Sequence, residues 1–347
     1  MRGTLTPAVV CVALAGMSRL VLGQDAQSDF YRGKTITIVA GSTAGGGVDL
    51  YARLLARYLP KHIAGGPTIV VQNQPGAGSL TAAHNIYGVA PKDGTQMGIV
   101  LPGALFDPLM KGGDLKDYDP RKINYLGNGN ADSTVCVARR DAPVKTYAET
   151  FDKEMVIAGT GPGSESVDAP TLERNLLGVK LKLVIGYPGS SELKLALYQN
   201  EVQGVCGFQL SSAKQLFPDL LNPDGVVKLF AEEDATANPE LQKLGVPLIV
   251  DLAKTPEQKR VLEVFFAQGA VSRPFLLPPG VPADRLKMLR AAFVATMHDP
   301  DLQADAAKQK LGTNLMTGEE VQATVQSVYD TPPEIIAELR KVSALEK

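Results

Sequence analysis

The chain has 347 residues, 44% of them hydrophobic, and carries 35 Lys and Arg against 37 Asp and Glu, a net charge of −2 at pH 7. A protein that binds nucleic acid or an anionic membrane surface is expected to be basic, so this balance argues against both partners. The length suffices for two domains, each with a core of its own.

Residues 1–23 are interpreted as a signal peptide. Arg2 supplies the positive start, and residues 7–15 form an apolar stretch too short to span a bilayer. Cleavage is expected before Gln24, which leaves a net charge of about −4 on the mature chain. This pattern predicts export to the periplasm.

The most informative stretch is 35–59. Thr35–Ala40 is an apolar, β-branched run that predicts a strand, Gly41–Gly47 is a loop of small residues, and from Val48 the apolar residues follow helical spacing. Glycines allow a ligand close to the backbone, and a helix N-terminus offers unpaired N–H groups and a partial positive charge. The stretch therefore predicts an anion site, and a plain βα turn is the alternative reading.

Two nucleotide-binding motifs fit this loop poorly. A P-loop requires Lys and then Ser or Thr after the last glycine, whereas Val48 and Asp49 follow here. The glycine spacing also differs from the G-x-G-x-x-G fingerprint of dinucleotide sites. Asp49 is expected to complement the helix dipole, or to orient loop N–H groups if it serves binding.

Five further strands are each predicted to end in a loop of small or hydroxylated residues. In chain order the strand and loop pairs are 67–72 with 74–79, 96–101 with 102–104, 155–158 with 159–166, 181–185 with 186–192, and 204–208 with 209–212. Each of the later loops also reads as an ordinary capped helix start. The recurrence favours binding, since hydroxyl and N–H donors suit a carboxylate.

The rest of the chain is predicted to be α/β and then helical. Strands are expected at 132–139 and 226–230 and an extended segment at 273–280. Helices are expected at 48–59, 79–89, 146–154, 169–177, 193–198, 255–267, 283–298, 301–310, 317–329 and 333–345.

The candidate ligand-binding residues share these loops. They are Ser42, Thr43, Ala44, Gly46, Gly47, Asp49, Gly78, Pro102, Gly103, Thr160, Gly161, Gly163, Ser164, Ser166, Tyr187, Gly189, Ser190 and Gln209. Because the six loops contain no Arg or Lys, we expect contacts mostly from neutral donors and water.

Two cysteines remain after the signal peptide, Cys136 and Cys206, each in an apolar strand-like run. An oxidising compartment permits a disulfide, and buried free thiols are the alternative. The three histidines lie outside the candidate loops, and no His, Cys, Asp and Glu cluster has metal-ligand spacing. We therefore expect no catalytic residue, no metal and no cofactor.

Several motifs resemble the solute receptors of tripartite tricarboxylate transporters, the Bug receptors. Residues 70–78, VVQNQPGAG, match the family's V-x-N-x-P-G-A-G signature, and they follow KTITIV with its glycine loop and Asp49. PKDG at 91–94, LPPGVP at 277–282 and LGT at 311–313 stand in the family's order. The first loop and the region after residue 166 depart from the usual pattern, which leaves the identity of the carboxylate open.

The resemblance implies an α/β, type II periplasmic binding protein-like fold with the ligand cleft between two domains. Domain 1 would comprise residues 24–126 plus 226–347, and domain 2 residues 127–225. The implied function is a monomeric extracytoplasmic receptor that binds a small carboxylate and delivers it to the membrane subunits of a tripartite transporter, rather than an enzyme. A sensor module for a signalling kinase and, more remotely, a hydrolase-type enzyme are the alternatives.

Overall fold

The computed structural model describes residues 30–112, 115–161 and 164–344. The predicted signal peptide lies outside the described residues. Within them the chain forms two mixed sheets and the helices that cover them. The predicted α/β fold class with two sheet-based bodies is confirmed.

The first sheet has six strands in the order β11-β4-β10-β3-β1-β2. The strands are β1 Thr35–Ala40, β2 Thr68–Asn73, β3 Gln96–Ile99, β4 Asn124–Asn128, β10 Pro274–Leu277 and β11 Met316–Thr317. β1 pairs in parallel with β2 and β3, whereas β10 runs antiparallel to both β3 and β4. The amino end of β10 therefore lies at the same sheet edge as the carboxyl ends of β1, β3 and β4.

The second sheet has five strands in the order β7-β6-β8-β5-β9. They are β5 Thr134–Arg139, β6 Met155–Gly159, β7 Leu181–Ile185, β8 Gly204–Gln209 and β9 Val227–Glu232. β6 pairs in parallel with β7 and β8, and β5 is antiparallel to β8 and β9. The carboxyl ends of β6, β8 and β9 thus share an edge with the amino end of β5.

Twelve α-helices lie within the described residues. They are α1 Gly47–Tyr58, α2 Leu80–His84, α3 Gly103–Lys111, α4 Glu165–Leu177, α5 Ser190–Tyr198, α6 Leu210–Leu216, α7 Pro239–Lys243, α8 Pro256–Ala270, α9 Ala283–Met297, α10 Pro300–Lys308, α11 Gly318–Tyr329 and α12 Pro333–Val342. None of them is long and apolar enough to cross a membrane.

Each sheet has its own apolar core. Ile36 and Ile38 of β1 pack with Leu54 and Leu55 of α1, as alternation in a strand and helical spacing predict. Val135, Val137, Leu197, Phe208 and Phe217 belong to the core of the second sheet. A third cluster, which includes residues of α8, α11 and α12, contains buried residues of both sheets.

Most predicted elements are present within a few residues of their expected bounds, although α7 was not predicted and α4 begins four residues earlier than expected. Residues 102–104 were predicted to be a loop, but α3 begins at Gly103, and residues 210–212 start α6. Residues 124–128, for which no strand was predicted, form β4. In α3 the buried Ala104, Leu105 and Phe106 supply packing that outweighs the internal Pro108.

The chain crosses between the sheets after Asn128, where β4 is followed by β5. Val227–Glu232, which the sequence assigns to the returning part of domain 1, pairs with β5 in the second sheet. The exact domain boundaries stay a prediction.

Cys136 and Cys206 form a disulfide that joins β5 to β8 across 70 residues of sequence. Of the two alternatives left open by the sequence, the structure has the bridge. Both cysteines are buried, so the bridge lies inside the second-sheet body.

Candidate functional site

Ser79 holds three loops of the first sheet together. It is buried, with a φ of +75°, directly after Ala77 and Gly78, which also have positive φ. Its hydroxyl donates to the carbonyl of Gly41 at 2.7 Å and accepts from the N–H of Leu101 at 3.1 Å. The turn after β2 is thereby tied to the loops after β1 and β3.

Asp49 fixes the glycine loop from within. Its buried carboxylate accepts from the N–H of Gly45 at 2.8 Å, from Nε of Arg53 at 2.9 Å and from Nδ2 of Asn73 at 2.8 Å. Burial alone would raise the pKa of Asp49, but the hydrogen bonds from Arg53, Gly45 and Asn73 outweigh it and hold the pKa below its usual value. The carboxylate organises the loop at the start of α1, in the geometry expected if it orients N–H groups.

The hydroxyls predicted in the second-sheet body bind one another. Thr160 Oγ1 donates to Ser164 Oγ at 2.8 Å, Ser164 Oγ lies 3.1 Å from Ser166 Oγ, and the N–H of Thr160 donates to Ser166 Oγ at 3.1 Å. Ser164 also donates to the carbonyl of Gly161 at 2.7 Å. These side chains shape the turn between β6 and α4.

Gly207 allows α4 to approach β8. Its φ is +74°, and a Cβ atom there would lie 2.5 Å from the carbonyl carbon of Glu165 and 2.6 Å from the nitrogen of Ser166. Only glycine is compatible with both conditions. The contact sets where Glu165 and the first turn of α4 stand relative to the sheet edge.

A cavity of about 610 Å³ lies between the facing edges of the two sheets. Its walls come from the turn after β2, from the ends of β3, β5, β8, β9 and β10 that face the cleft, and from helices α3, α4 and α8. They are Ala77, Gly78, Leu80, Leu101, Pro102, Gly103, Ala104, Asp107, Met110, Thr134, Glu165, Asp168, Ala169, Gln209, Glu233, Phe265, Phe266, Gln268, Gly269, Ser272 and Arg273. A volume of this size suits a small organic molecule.

Four of the predicted site residues line this cavity: Gly78, Pro102, Gly103 and Gln209. Asp49 supports the glycine loop from behind, and the hydroxyls of Thr160, Ser164 and Ser166 stabilise the second-sheet turn. Ser42, Thr43, Ala44 and Gly46 belong to the solvent-facing glycine loop. Tyr187 and Gly189 lie in the loop after β7, and the exposed Ser190 is the first residue of α5. Gly163 lies outside the described residues. Whether these residues bind a ligand stays a prediction.

Arg273, which was not among the predicted residues, is the one cation among the described residues that line the cavity. Its Nη1 donates to the carbonyl of Ser272 at 2.6 Å and its Nη2 to Oε1 of Gln209 at 3.1 Å, while the buried Nε has no partner among the described residues. The guanidinium carbon lies 5.3 Å from the ring centre of Tyr51. Burial lowers the pKa of Arg273 from its usual value, but an arginine stays charged.

Arg273 also meets the N-terminus of α1. A Cβ atom at Gly47 would lie 3.2 Å from Nη2 of Arg273, so the helix start and the guanidinium are in contact. The backbone N–H of Arg273 donates to Oδ1 of the buried Asn128 at 2.6 Å, which fixes its position at the edge. Two features that favour an anion, a helix N-terminus and a partly buried cation, thus lie side by side.

The sequence contains a feature that could have identified Arg273 as a residue of the candidate site. A charged residue stands directly before the fully buried strand Pro274–Leu277. The prediction considered only carboxyl ends of strands, and an antiparallel strand brings its amino end to the same edge.

The disulfide borders a buried pair of carboxyls. The two sulfur atoms and one oxygen each of Glu173 and Glu233 all lie within 4.8 Å of one another. Tyr147 Oη donates to Glu173 at 2.5 Å, and the N–H of Gly207 donates to Glu233 at 2.8 Å. Burial raises the pKa of Glu173 to about 7 and that of Glu233 well above its usual value. The charge of the neighbouring Glu173 raises the pKa of Glu233 further, because two adjacent buried carboxylates repel each other. Sequence spacing could not reveal this cluster of four residues.

No protein-family model matches the chain. A curated relative, the UPF0065 protein in gbd 5'region of Cupriavidus necator, is 30% identical over 211 residues. That match covers 59% of this chain, and the chain spans 62% of the relative's length.

Solved structures share the fold over nearly the whole chain. A TctC solute binding protein from Polaromonas has a TM-score of 0.67 at 20% identity and covers 90% of this chain and 98% of its own. MatC from Rhodopseudomonas palustris with bound malate has a TM-score of 0.57 at 22% identity, covering 90% and 99% of the two chains. The periplasmic binding protein BugD has a TM-score of 0.61 at 22% identity, covering 91% and 100%. The resemblance to the tripartite tricarboxylate solute receptors that the motifs indicate is therefore confirmed, and the chain has their fold.

Proposed function

We propose that this protein is an extracytoplasmic solute receptor that binds a small carboxylate between its two sheets and delivers it to the membrane subunits of a tripartite transporter. The observation that carries the proposal is the partly buried Arg273 on the cavity wall, whose buried Nε–H is unpaired among the described residues. A carboxylate is the group that best satisfies a guanidinium edge, because it accepts two parallel N–H bonds.

The position of Arg273 supports binding in a cleft that closes on its ligand. Arg273 precedes a strand of the first sheet, and Gln209, its partner, ends a strand of the second. A ligand held here would contact both bodies, which is how hinge-closing receptors couple binding to shape. MatC, one of the solved structures with this fold, holds malate.

The wall chemistry supports reversible binding rather than catalysis. The described residues that line the cavity include no histidine, lysine or cysteine. Acyl transfer and related reactions need a nucleophile with a base in hydrogen-bond reach, and His is the commonest base. We therefore propose that the ligand leaves unchanged.

A thermal-shift screen tests carboxylate binding. The panel is citrate, four- and five-carbon dicarboxylates, aromatic mono- and dicarboxylates, nicotinate and amino acids, each with its amide as control. A true ligand at 100 times its dissociation constant stabilises the fold by about 2.7 kcal/mol, and the amide should bind clearly worse because it lacks the charge. If no acid shifts the melting temperature, or if product accumulates in the ligand pool, the proposal is wrong.

Delivery and export need their own measurements. Uptake of the identified acid into membrane vesicles that contain the tripartite membrane subunits should require this protein. Mass spectrometry of protein from its native host should find processing near Gln24 and a periplasmic location. Uptake that proceeds equally without the receptor would contradict the transport role.

A further inference from the structure

Arg273 lies where the chain passes between the two sheets. The chain leaves the first sheet after Asn128 and enters the second at Thr134, so residues 129–133 form an outgoing path. It leaves the second sheet after Glu232 and re-enters the first at Pro274, so residues 233–273 form a return path. Arg273 is the last residue of the return path.

Asn128 ties the outgoing path to the return path. Its side chain is fully buried. Oδ1 accepts from the N–H of Arg273 at 2.6 Å, and Nδ2 donates to the carbonyls of Asn130 at 2.7 Å and Ala270 at 3.1 Å. The carbonyl of Arg273 in turn accepts from the N–H of Gly129 at 2.9 Å. The two paths therefore lie side by side, and Asn128 fixes the main chain of Arg273 against the outgoing path.

The outgoing path changes its partners between Ala131 and Asp132. The N–H of Ala131 donates to the carbonyl of Asn314 at 2.7 Å, and its carbonyl accepts from Nδ2 of Asn314 at 3.0 Å. Asn314 stands just before β11 of the first sheet, whereas Asp132 accepts from the N–H of Ser211 at 3.3 Å, in the helix that directly follows β8 of the second. A rotation of one sheet-based body against the other would therefore bend the chain at this point.

Arg273 has partners on both sides of that point. Its main chain is held on the first-sheet side by Asn128 and Gly129, and its Nη2 donates to Gln209 at the end of β8. A fixed main chain makes the distance from the guanidinium to Gln209 follow the rotation of the two bodies. It also holds the side chain in place before a ligand arrives, which reduces the entropy that binding has to offset.

We propose that Asn128 is a positioning residue for the binding site. It holds Arg273 at the junction of the two paths, and it thereby couples carboxylate binding to the rotation of the two bodies. The inference rests on the proposed function and names the residue through which Arg273 is positioned.

Labelling with phenylglyoxal, a reagent for accessible guanidinium groups, tests the positioning without any ligand. Mass spectrometry of peptides from the whole protein gives the labelling rate of each arginine. Asn128→Ala should accelerate labelling of Arg273 about fivefold, the factor that corresponds to roughly 1 kcal/mol for one hydrogen bond. Asn128→Asp keeps the acceptor for the N–H of Arg273, so its labelling rate should lie nearer to that of the wild type. Asn128→Ser, which has a shorter side chain, replaces the alanine variant if that one does not fold.

Asn124→Ala is the matched control. Asn124 lies on the same strand, and its Nδ2 donates to the carbonyl of Pro278 at 2.8 Å, so the variant also removes a bond from an asparagine of β4 to a main-chain carbonyl. Arg290 is the internal control, because its Nε donates to the carbonyl of Tyr125 on that strand at 2.8 Å. A merely structural role of Asn128 would loosen the strand and accelerate labelling of Arg290 as well.

Titration calorimetry with malate, adipate and benzoate measures the consequence for binding. An acid that binds the wild type should bind Asn128→Ala about fivefold more weakly, by the same conversion. Its affinity for Asn124→Ala should be unchanged.

The outcomes separate this inference from the proposed function. If labelling of Arg273 is unchanged in Asn128→Ala, or rises equally at Arg290 or in Asn124→Ala, Asn128 is not a positioning residue. Unchanged affinity in Asn128→Ala despite faster labelling would also overturn the inference. If none of the three acids binds the wild type, the proposed function loses support, whereas the labelling rates still decide whether Asn128 positions Arg273.

Discussion

Arg273 donates through Nη2 to the side-chain carbonyl of Gln209 at 3.1 Å, across the cleft between the two sheets. Arg273 immediately precedes β10 of the first sheet, and Gln209 is the last residue of β8 in the second. The bond holds the guanidinium in the cavity wall, where desolvation strengthens its hydrogen bonds to an anion. Both the affinity and the closure of the cleft should therefore depend on this side chain.

Replacing Arg273 should weaken ligand binding more than it destabilises the fold. Arg273→Gln removes the charge, and a hydrogen bond to a charged group contributes about 1.5–3 kcal/mol, so carboxylate binding should weaken about 10- to 150-fold. Arg273→Lys should recover only part of this, because an ammonium lacks the planar fork. Titration calorimetry measures the carboxylate affinity of both variants.

The matched control is Arg57→Gln. Arg57 is about half exposed, pairs with Asp305 at 3.0 Å and lies on α1, the helix that follows the glycine loop. It should leave affinity unchanged, since exposed ion pairs contribute little. Wild-type affinity in Arg273→Gln would show that the carboxylate binds elsewhere.

Gly47 offers a second test of the contact between Arg273 and the N-terminus of α1. A Cβ atom there would lie 3.2 Å from Nη2 of Arg273, so Gly47→Ala should shift the guanidinium slightly and Gly47→Val should displace it. Binding should fall in that order in a thermal-shift assay while the fold persists. Gly88→Ala is the control, because its added Cβ meets nothing within 4 Å. An undiminished ligand shift in Gly47→Val would contradict the placement.

The strand, glycine loop and helix of residues 35–58 could be predicted because each has strong periodicity and the turn chemistry agrees with it. The turn that contains Gly78 was found by its Gly and Pro residues. Helix α3 was missed, since Pro102, Gly103 and Pro108 indicate a loop locally and only burial of Leu105 and Phe106 makes the helix favourable.

The cavity was predictable only in part, for a reason of topology. Sequence places residues at strand ends, but it does not reveal which strands are antiparallel or which chain segments meet. Arg273, Asp107 and Glu233 enter the cavity from an amino strand end, a helix interior and a segment after β9. The pairing of Cys136 with Cys206 has the same origin, since it depends on β5 lying beside β8.

The disulfide should stabilise the fold by restricting the unfolded chain. A loop of 70 residues separates its cysteines, and closing a loop of that length contributes about 4 kcal/mol in the chain-entropy account. Denaturant unfolding with and without a dithiol reductant should show a clear drop in midpoint once thiol titration finds both cysteines reduced.

The double variant Cys136→Ala with Cys206→Ala provides the control. It should unfold near the midpoint of the reduced wild type and should not respond to reductant. If the reduced wild-type protein, with both thiols titrated, unfolds at the oxidised midpoint, the bridge contributes nothing to stability.

The buried pair of Glu173 and Glu233 should make the protein less stable as the pH rises from about 5 to 8. Both pKa values are higher in the folded state than in an exposed glutamate, that of Glu173 reaching about 7. In this range the folded protein binds more protons than the unfolded chain, so the free energy of unfolding decreases with pH. A pKa rise of this size corresponds to a loss of stability on the order of 3 kcal/mol, reached once the pH passes the folded pKa.

Glu173→Gln keeps an acceptor for Tyr147 and adds an N–H donor toward Glu233. The free energy of unfolding of this variant should therefore decrease less over the same pH range. Glu154→Gln, at an exposed position, should retain the wild-type slope. Denaturant unfolding at half-unit pH steps measures all three proteins, and parallel curves for Glu173→Gln and the wild type would show that the pair is not the source of the pH dependence.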